Sequence, residues 1–158
     1  MNRENGPSSA VSSARVTGMG SRRKARELAV QVLYCLEFLQ EEVSTVFDLV
    51  CDNFSGKKSG RAFARDLVLG ACEKKDEIDR MIRRSSRNWR LERMSRLDRS
   101  ILRLAVFEFL YREDIPPKVS IDEAVELGKL FGNAESGKFI NGILDDIFNT
   151  LRGSDATQ

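Results

Sequence analysis

Apolar side chains return every three or four residues along most of this chain, and a 3.6-residue rhythm leaves it little to build except packed helices. Ala25, Leu28, Ala29, Val32, Leu33 and Leu36 make one such stripe, and Ser21 is a plausible N-cap for it. Val43, Val46, Phe47, Val50 and Phe54 make a second, ended by the Ser-Gly-Lys-Lys-Ser-Gly stretch at 55–60. A third helix is expected from about Arg61 to Arg84, with Phe63, Leu67, Val68, Ala71, Ile78, Met81 and Ile82 on its buried face. From Asp98 onward, Ile101, Leu102, Leu104, Ala105, Phe107, Phe109 and Leu110 are apolar on nearly every side, as befits a central helix covered by others. Pro116-Pro117 breaks the chain, and Ser120-Ile121-Asp122-Glu123 reads as a capping box that starts a helix ending at Gly132. The last helix carries Phe139, Ile140, Ile143, Leu144, Ile147, Phe148 and Leu151. With three prolines, two tyrosines and no strand pattern or internal repeat, the expectation is an all-α fold of six main helices.

At 158 residues the chain can bury a full core in one domain, here expected at 21–152. Residues 1–20, rich in Ser, Gly, Asn and Ala, are expected to form a flexible tail, and residues 153–158 a disordered one. No apolar run approaches the roughly 20 residues that span a bilayer, and the amino terminus lacks a signal core, so a cytoplasmic protein without a membrane partner is expected. Cys35, Cys51 and Cys72 are odd in number, lack Cys-x-x-Cys spacing and sit among apolar neighbours. They read as buried thiols of a reducing compartment, with no metal or cofactor to hold.

The chain has no histidine, which removes imidazole bases, Ser-His and Cys-His pairs and His metal ligands together. Gly132-Asn133-Ala134-Glu135-Ser136-Gly137-Lys138 has the glycine and lysine spacing of a P-loop. Phe139 follows where a hydroxyl should hold magnesium, and a helix precedes where a strand should, so nucleotide binding is rejected. Paired acids such as Asp122/Glu123 and Asp145/Asp146 are adjacent on a helix and diverge. Nothing in the residues argues for an enzyme.

Charge distribution says more. Arg22-Arg23-Lys24-Ala25-Arg26 opens the first stripe, and eight arginines against two acids, Glu92 and Asp98, fill residues 80–99, where Trp89, Leu91, Met94 and Leu97 look like core anchors. Residues 113–146 hold eight acids and three bases. Arginines pair with phosphates and stack on bases, so the basic opening suits RNA, while the acidic half suits a protein.

Two ordered blocks resemble the NusB family of transcription antitermination factors. One is Arg22-Arg23-Lys24-Ala25-Arg26-Glu27 with Ala29-Val30-Gln31 and Leu33-Tyr34. The other runs from Asp98 to Leu110 and continues through Pro117-Lys118-Val119, Ile121 to Leu127, Phe131-Gly132 and Lys138 to Asp145. The resemblance implies two three-helix bundles packed perpendicular to one another, divided at about 21–84 and 85–152. It implies binding to the boxA-type single-stranded RNA of ribosomal RNA leaders together with NusE, a ribosomal protein. RNA polymerase and the other Nus factors would complete an assembly that resists termination. By the same resemblance, Arg22, Arg23, Lys24, Arg26, Glu135, Lys138 and Phe139 would bind RNA, while Asp98, where the family has glutamate, and Glu92 would meet the protein partner. Pairing of two copies through the arginine-rich helix is also compatible with the resemblance. The same fold serves as the RNA-binding domain of a ribosomal RNA cytosine methyltransferase, but no methyl-donor segment is expected after the last helix here. A helical protein-interaction module without RNA stays as the alternative, separated by an RNA titration.

Overall fold

The described residues of the computed structural model, 8–54 and 60–156, with side chains described from 21–54 and 60–154, hold seven α-helices and a short 3-10 turn joined by loops. In chain order they are α1 (Ser8–Leu36), α2 (Val43–Asn53), α3 (Arg61–Glu73), α4 (Lys75–Ser85), the 3-10 turn Leu91–Arg93, α5 (Arg96–Tyr111), α6 (Pro117–Phe131) and α7 (Ala134–Ala156). No strand occurs among the described residues, and none of their helices is long and apolar enough to cross a membrane.

Helix α5 is the hub. Ser95 caps it by accepting a hydrogen bond from the Asp98 backbone N–H at 3.0 Å. Ser100, Ile101, Leu102, Leu104, Ala105, Val106, Phe107 and Glu108 are all buried along it. Helices α1, α3, α4, α6 and α7 all pack against α5, while α2 braces α1 and α3. One continuous core results, joining Leu28, Val32, Leu67 and Val68 to Ile101, Leu104, Ile140, Leu144 and Ile147. Burying each such aliphatic side chain stabilises by about 1.5–3 kcal/mol before conformational entropy is counted.

Several expectations give way to tertiary packing. Helix α1 begins at Ser8 and not at Ser21, so Arg22 to Arg26 lie within the helix and escape the unfavourable end of its macrodipole. Residues 1–7 and 157–158 of the expected tails, and 55–59 of the expected loop, lie outside the described residues, while α7 continues to Ala156. The single helix expected from 61 to 84 is two, broken at Lys74. Helix α3 packs against α1 and α5, whereas α4 packs against α5 and α7, so the two halves turn toward different neighbours at Lys74.

Helix α6 starts at Pro117, where the fixed φ of proline suits a first helical position, and not at the Ser120 capping box. Ser120 is buried inside the helix. Leu91 and Met94 are buried anchors of the basic connector, but Trp89 is 59% exposed. It rides on a turn closed by its backbone N–H to the Ser86 carbonyl at 3.1 Å. Of the cysteines only Cys51 is fully buried, Cys35 and Cys72 being half-buried, and burial pushes the Cys51 and Cys72 thiols up.

Two glycines set how closely helices approach. A Cβ on Gly70 of α3 would stand 2.1 Å from Phe107 Cζ of α5, a ring that itself stacks on Tyr111 at 5.5 Å. A Cβ on Gly128 of α6 would meet Ile140 Cδ1 at 2.7 Å and the Gly137 backbone nitrogen at 3.3 Å. Gly137 belongs to the P-loop look-alike, and its smoothness lets α7 lie against α6.

A charged cluster ties α1 to α4 and α5. Glu37, just past α1, accepts from Arg99 Nη2 at 2.6 Å and Arg103 Nη1 at 2.9 Å, and Arg103 Nε reaches Asp79 at 2.8 Å. Burial alone would push Glu37 up, but the hydrogen bonds and charges of Arg99 and Arg103 together hold it below its ordinary 4.5.

Two outcomes follow. Gly70→Ala is expected to destabilise by about 1–3 kcal/mol in urea unfolding, because ring overlap outweighs the better helix propensity of alanine. Glu37, lowered in the folded state, contributes stability that is fully present above its unfolded value and lost as pH falls through the lower folded one. Acid unfolding of Glu37→Gln is therefore expected to show a shallower pH dependence than that of the wild type.

Candidate nucleic-acid interface

The rotational phase of α1 is set by Arg26. Its Nε donates to both Glu108 oxygens at 3.3 and 3.1 Å, and its Nη2 donates to Glu108 Oε1 at 2.8 Å. The Ser120 hydroxyl donates to the same Oε1 at 3.0 Å, so one carboxylate joins α1, α5 and α6. Side-chain exposure is 4% for Arg26 and 2% for Glu108. Arg26, expected to bind RNA, is thus a structural residue: its guanidinium is turned inward and occupied. Glu108 and Ser120 were the partners that sequence reading missed; the available signal was a lone acid between Phe107 and Phe109 in an apolar helix.

With Arg26 inward, the preceding turn faces out. Arg22, Arg23 and Lys24 are exposed and each meets an acid. Arg22 Nη2 lies 3.4 Å from Asp114 Oδ2, with its guanidinium 4.8 Å from the Phe63 ring centre. Arg112 also grips Asp114, and its hydrogen bonding, assisted by the charges of Arg112 and Arg22, holds that carboxyl down at about 2. Arg23 donates twice to Glu123 of α6, at 3.2 and 3.1 Å, which raises the guanidinium further above its usual range. Lys24 Nζ is 3.2 Å from Glu27. The Arg22–Asp114 pair is exposed on both sides and adds little net stability in water, whereas Glu123 and Glu27 are themselves partly buried. Phe63, Asp114 and Glu123 had no sequence signal, since each reaches α1 from a distant part of the chain.

Glu135, Lys138 and Phe139 lie at the start of α7, just after the end of α6. Asn133 Oδ1 accepts from the Ser136 backbone N–H at 2.9 Å and orders that turn. Glu135 and Lys138 are exposed; Phe139 is half-buried, edge-on to Trp89 with ring centres 6.1 Å apart. The structure therefore forms two groups, Arg22–Arg23–Lys24, paired with Asp114, Glu123 and Glu27, and Glu135–Lys138–Phe139 in the first turns of α7. Arg26 joins neither.

The two expected partner residues are separate as well. Asp98, in the first turn of α5, is half-buried, and burial raises its carboxyl despite hydrogen bonds with Ser95 and Ser136. Its Oδ1 has no hydrogen-bond partner among the described residues. An apolar groove of about 410 Å³ lies alongside, lined by Val30, Tyr34, Cys35, Leu97 and Phe131. Glu92 instead sits on the 3-10 turn, exposed and paired with Arg83 at 2.9 Å. Among the described residues no group of three or more Cys, Asp or Glu is placed to hold a metal.

Arg26→Ala is expected to cost about 3–5 kcal/mol of stability by leaving Glu108 buried and uncompensated. Arg23→Ala, at the exposed pair, is expected to cost under about 1 kcal/mol in the same thermal unfolding experiment.

Residues 23–149 match the model of the NusB family. The chain is 49% identical over 134 residues to the transcription antitermination protein NusB of Geobacter sulfurreducens, covering 84% of this chain and 97% of that protein. It is 50% identical over 133 residues to the Myxococcus xanthus protein of the same name, covering 82% and 95%. Among solved structures, T. maritima NusB superimposes with a TM-score of 0.73 at 39% identity, over 80% of this chain and 89% of that one. A chain from the crystal structure of the antitermination factors NusB and NusE in complex with dsRNA superimposes at 0.75 with 29% identity, over 84% and 98%. On sequence and fold together, the chain belongs to the NusB family.

Proposed function

We propose that this protein is a transcription antitermination factor that binds boxA-type RNA of ribosomal RNA leaders jointly with NusE, within the complex that RNA polymerase forms with other Nus factors. The observation that carries the reading is the exposed basic turn Arg22, Arg23 and Lys24, each paired with an acid, with Arg26 held inward by Glu108. Phosphates of a single strand would displace those acids, while Glu135, Lys138 and Phe139 extend the contact at the start of α7. The solved NusB relative bound to NusE and RNA supports the same pairing of partners.

Asp98 is the residue for the protein partner. A half-buried carboxylate with one unpaired oxygen beside an apolar groove offers both a hydrogen-bond acceptor and a surface to bury. Glu92 adds an exposed acid on the 3-10 turn. The protein works by binding and not by catalysis, in the cytoplasm, where transcription takes place.

The test is a titration with a short boxA-like single-stranded RNA and a scrambled control, with and without NusE. The boxA strand is expected to bind more tightly than the scramble, NusE to tighten the complex, and affinity to fall steeply with salt. Arg22→Ala/Arg23→Ala is expected to weaken binding by about tenfold or more and to lower the log–log salt slope by about 0.7 for each phosphate that is no longer neutralised. Equal binding of both strands with NusE present would sink the specific reading.

A further inference from the structure

Trp89, the sole tryptophan, lies 59% exposed on the connector between α4 and α5, where a ring of that size buried against the core would have added to stability. It stands over a cleft of about 560 Å³ shared with α7, whose walls include Arg87, Lys138, Phe139, Gly142 and Asp146. The Trp89 and Phe139 rings meet at 80°, forming two sides of a corner, and the indole stays exposed. Gly142 is the second observation. It stands inside a long helix, where glycine is costly, yet a Cβ there would meet nothing within 4 Å. Packing therefore gives no reason for a glycine at this exposed position, which lines the cleft.

We infer that the Trp89–Gly142 cleft is a base-stacking pocket for single-stranded RNA, extending the strand beyond Lys138 and Phe139. This rests on the RNA-binding role proposed above. Two cations, Arg87 and Lys138, face one acid, Asp146, so the rim attracts a phosphate backbone while the indole face accepts a base. A protein partner seated on Trp89 would more naturally find an apolar rim, and this one is polar and basic. The pocket takes a flat ring of any base, which gives affinity along the strand without choosing its sequence.

The single tryptophan makes the site its own reporter. In a titration of the full-length protein with the boxA-like strand, Trp89 fluorescence is expected to be quenched in step with binding measured by mobility shift. Trp89→Ala is expected to lose about five- to a hundredfold in affinity, the range for one base–aromatic stack, whereas Trp89→Phe keeps most of it. Gly142→Leu is expected to weaken binding similarly while its thermal midpoint stays at or above that of the wild type. If the strand binds and Arg22→Ala/Arg23→Ala weakens it, yet Trp89→Ala and Gly142→Leu bind like the wild type, the pocket is wrong and the RNA role stands. Fluorescence that responds only to NusE also overturns the pocket, in favour of a protein contact. If no RNA binds under any condition, both fall.

Discussion

The contact between Arg26 and Glu108 governs the rest of this molecule. A helix can turn about its axis without losing a backbone hydrogen bond, so something must fix which residues of α1 face the core. Apolar packing of Ala25, Leu28, Ala29 and Val32 sets the phase within a range, and the buried guanidinium sets it to one value. Ser120 completes the carboxylate's coordination and brings α6 into the same constraint. Arg22, Arg23 and Lys24 are left exposed in the turn that precedes Arg26.

That division of labour changes how a run of basic residues should be understood. Four cations in five residues look equivalent in one dimension, yet one is a buried strut and three are surface groups on soft ion pairs. The acids opposite them, Asp114, Glu123 and Glu27, come from three different parts of the chain. They keep the basic face from standing as bare positive charge, at ion pairs that add little net stability in water. The charge of the basic opening is thus offset in space by acids that lie outside it in the chain.

The glycines of the P-loop look-alike show the same principle in reverse. Gly137 has the spacing of a phosphate cradle, but its function here is to let α7 rest against Gly128 of α6. Glycine next to a lysine says only that a backbone is approached closely; whether by a phosphate or by another helix depends on what lies opposite.

Helix class was legible in the sequence because amphipathic periodicity is a local property: each stripe, from Ala25–Leu36 to Phe139–Leu151, encodes which face must be hidden. The central position of the helix containing Leu102, Leu104 and Phe107 was legible for the same reason, since apolar residues on all sides require cover on all sides. What only the tertiary structure decided were matters of distance between remote residues. It broke the third helix at Lys74 so that its halves could reach different neighbours, moved the start of α6 to Pro117, and left Trp89 outside the core. It also turned Arg26 inward to a carboxylate 82 residues away. A side chain's type fixes what it can bond to, but whether it meets a core acid, a surface acid or solvent is settled only when the helices pack.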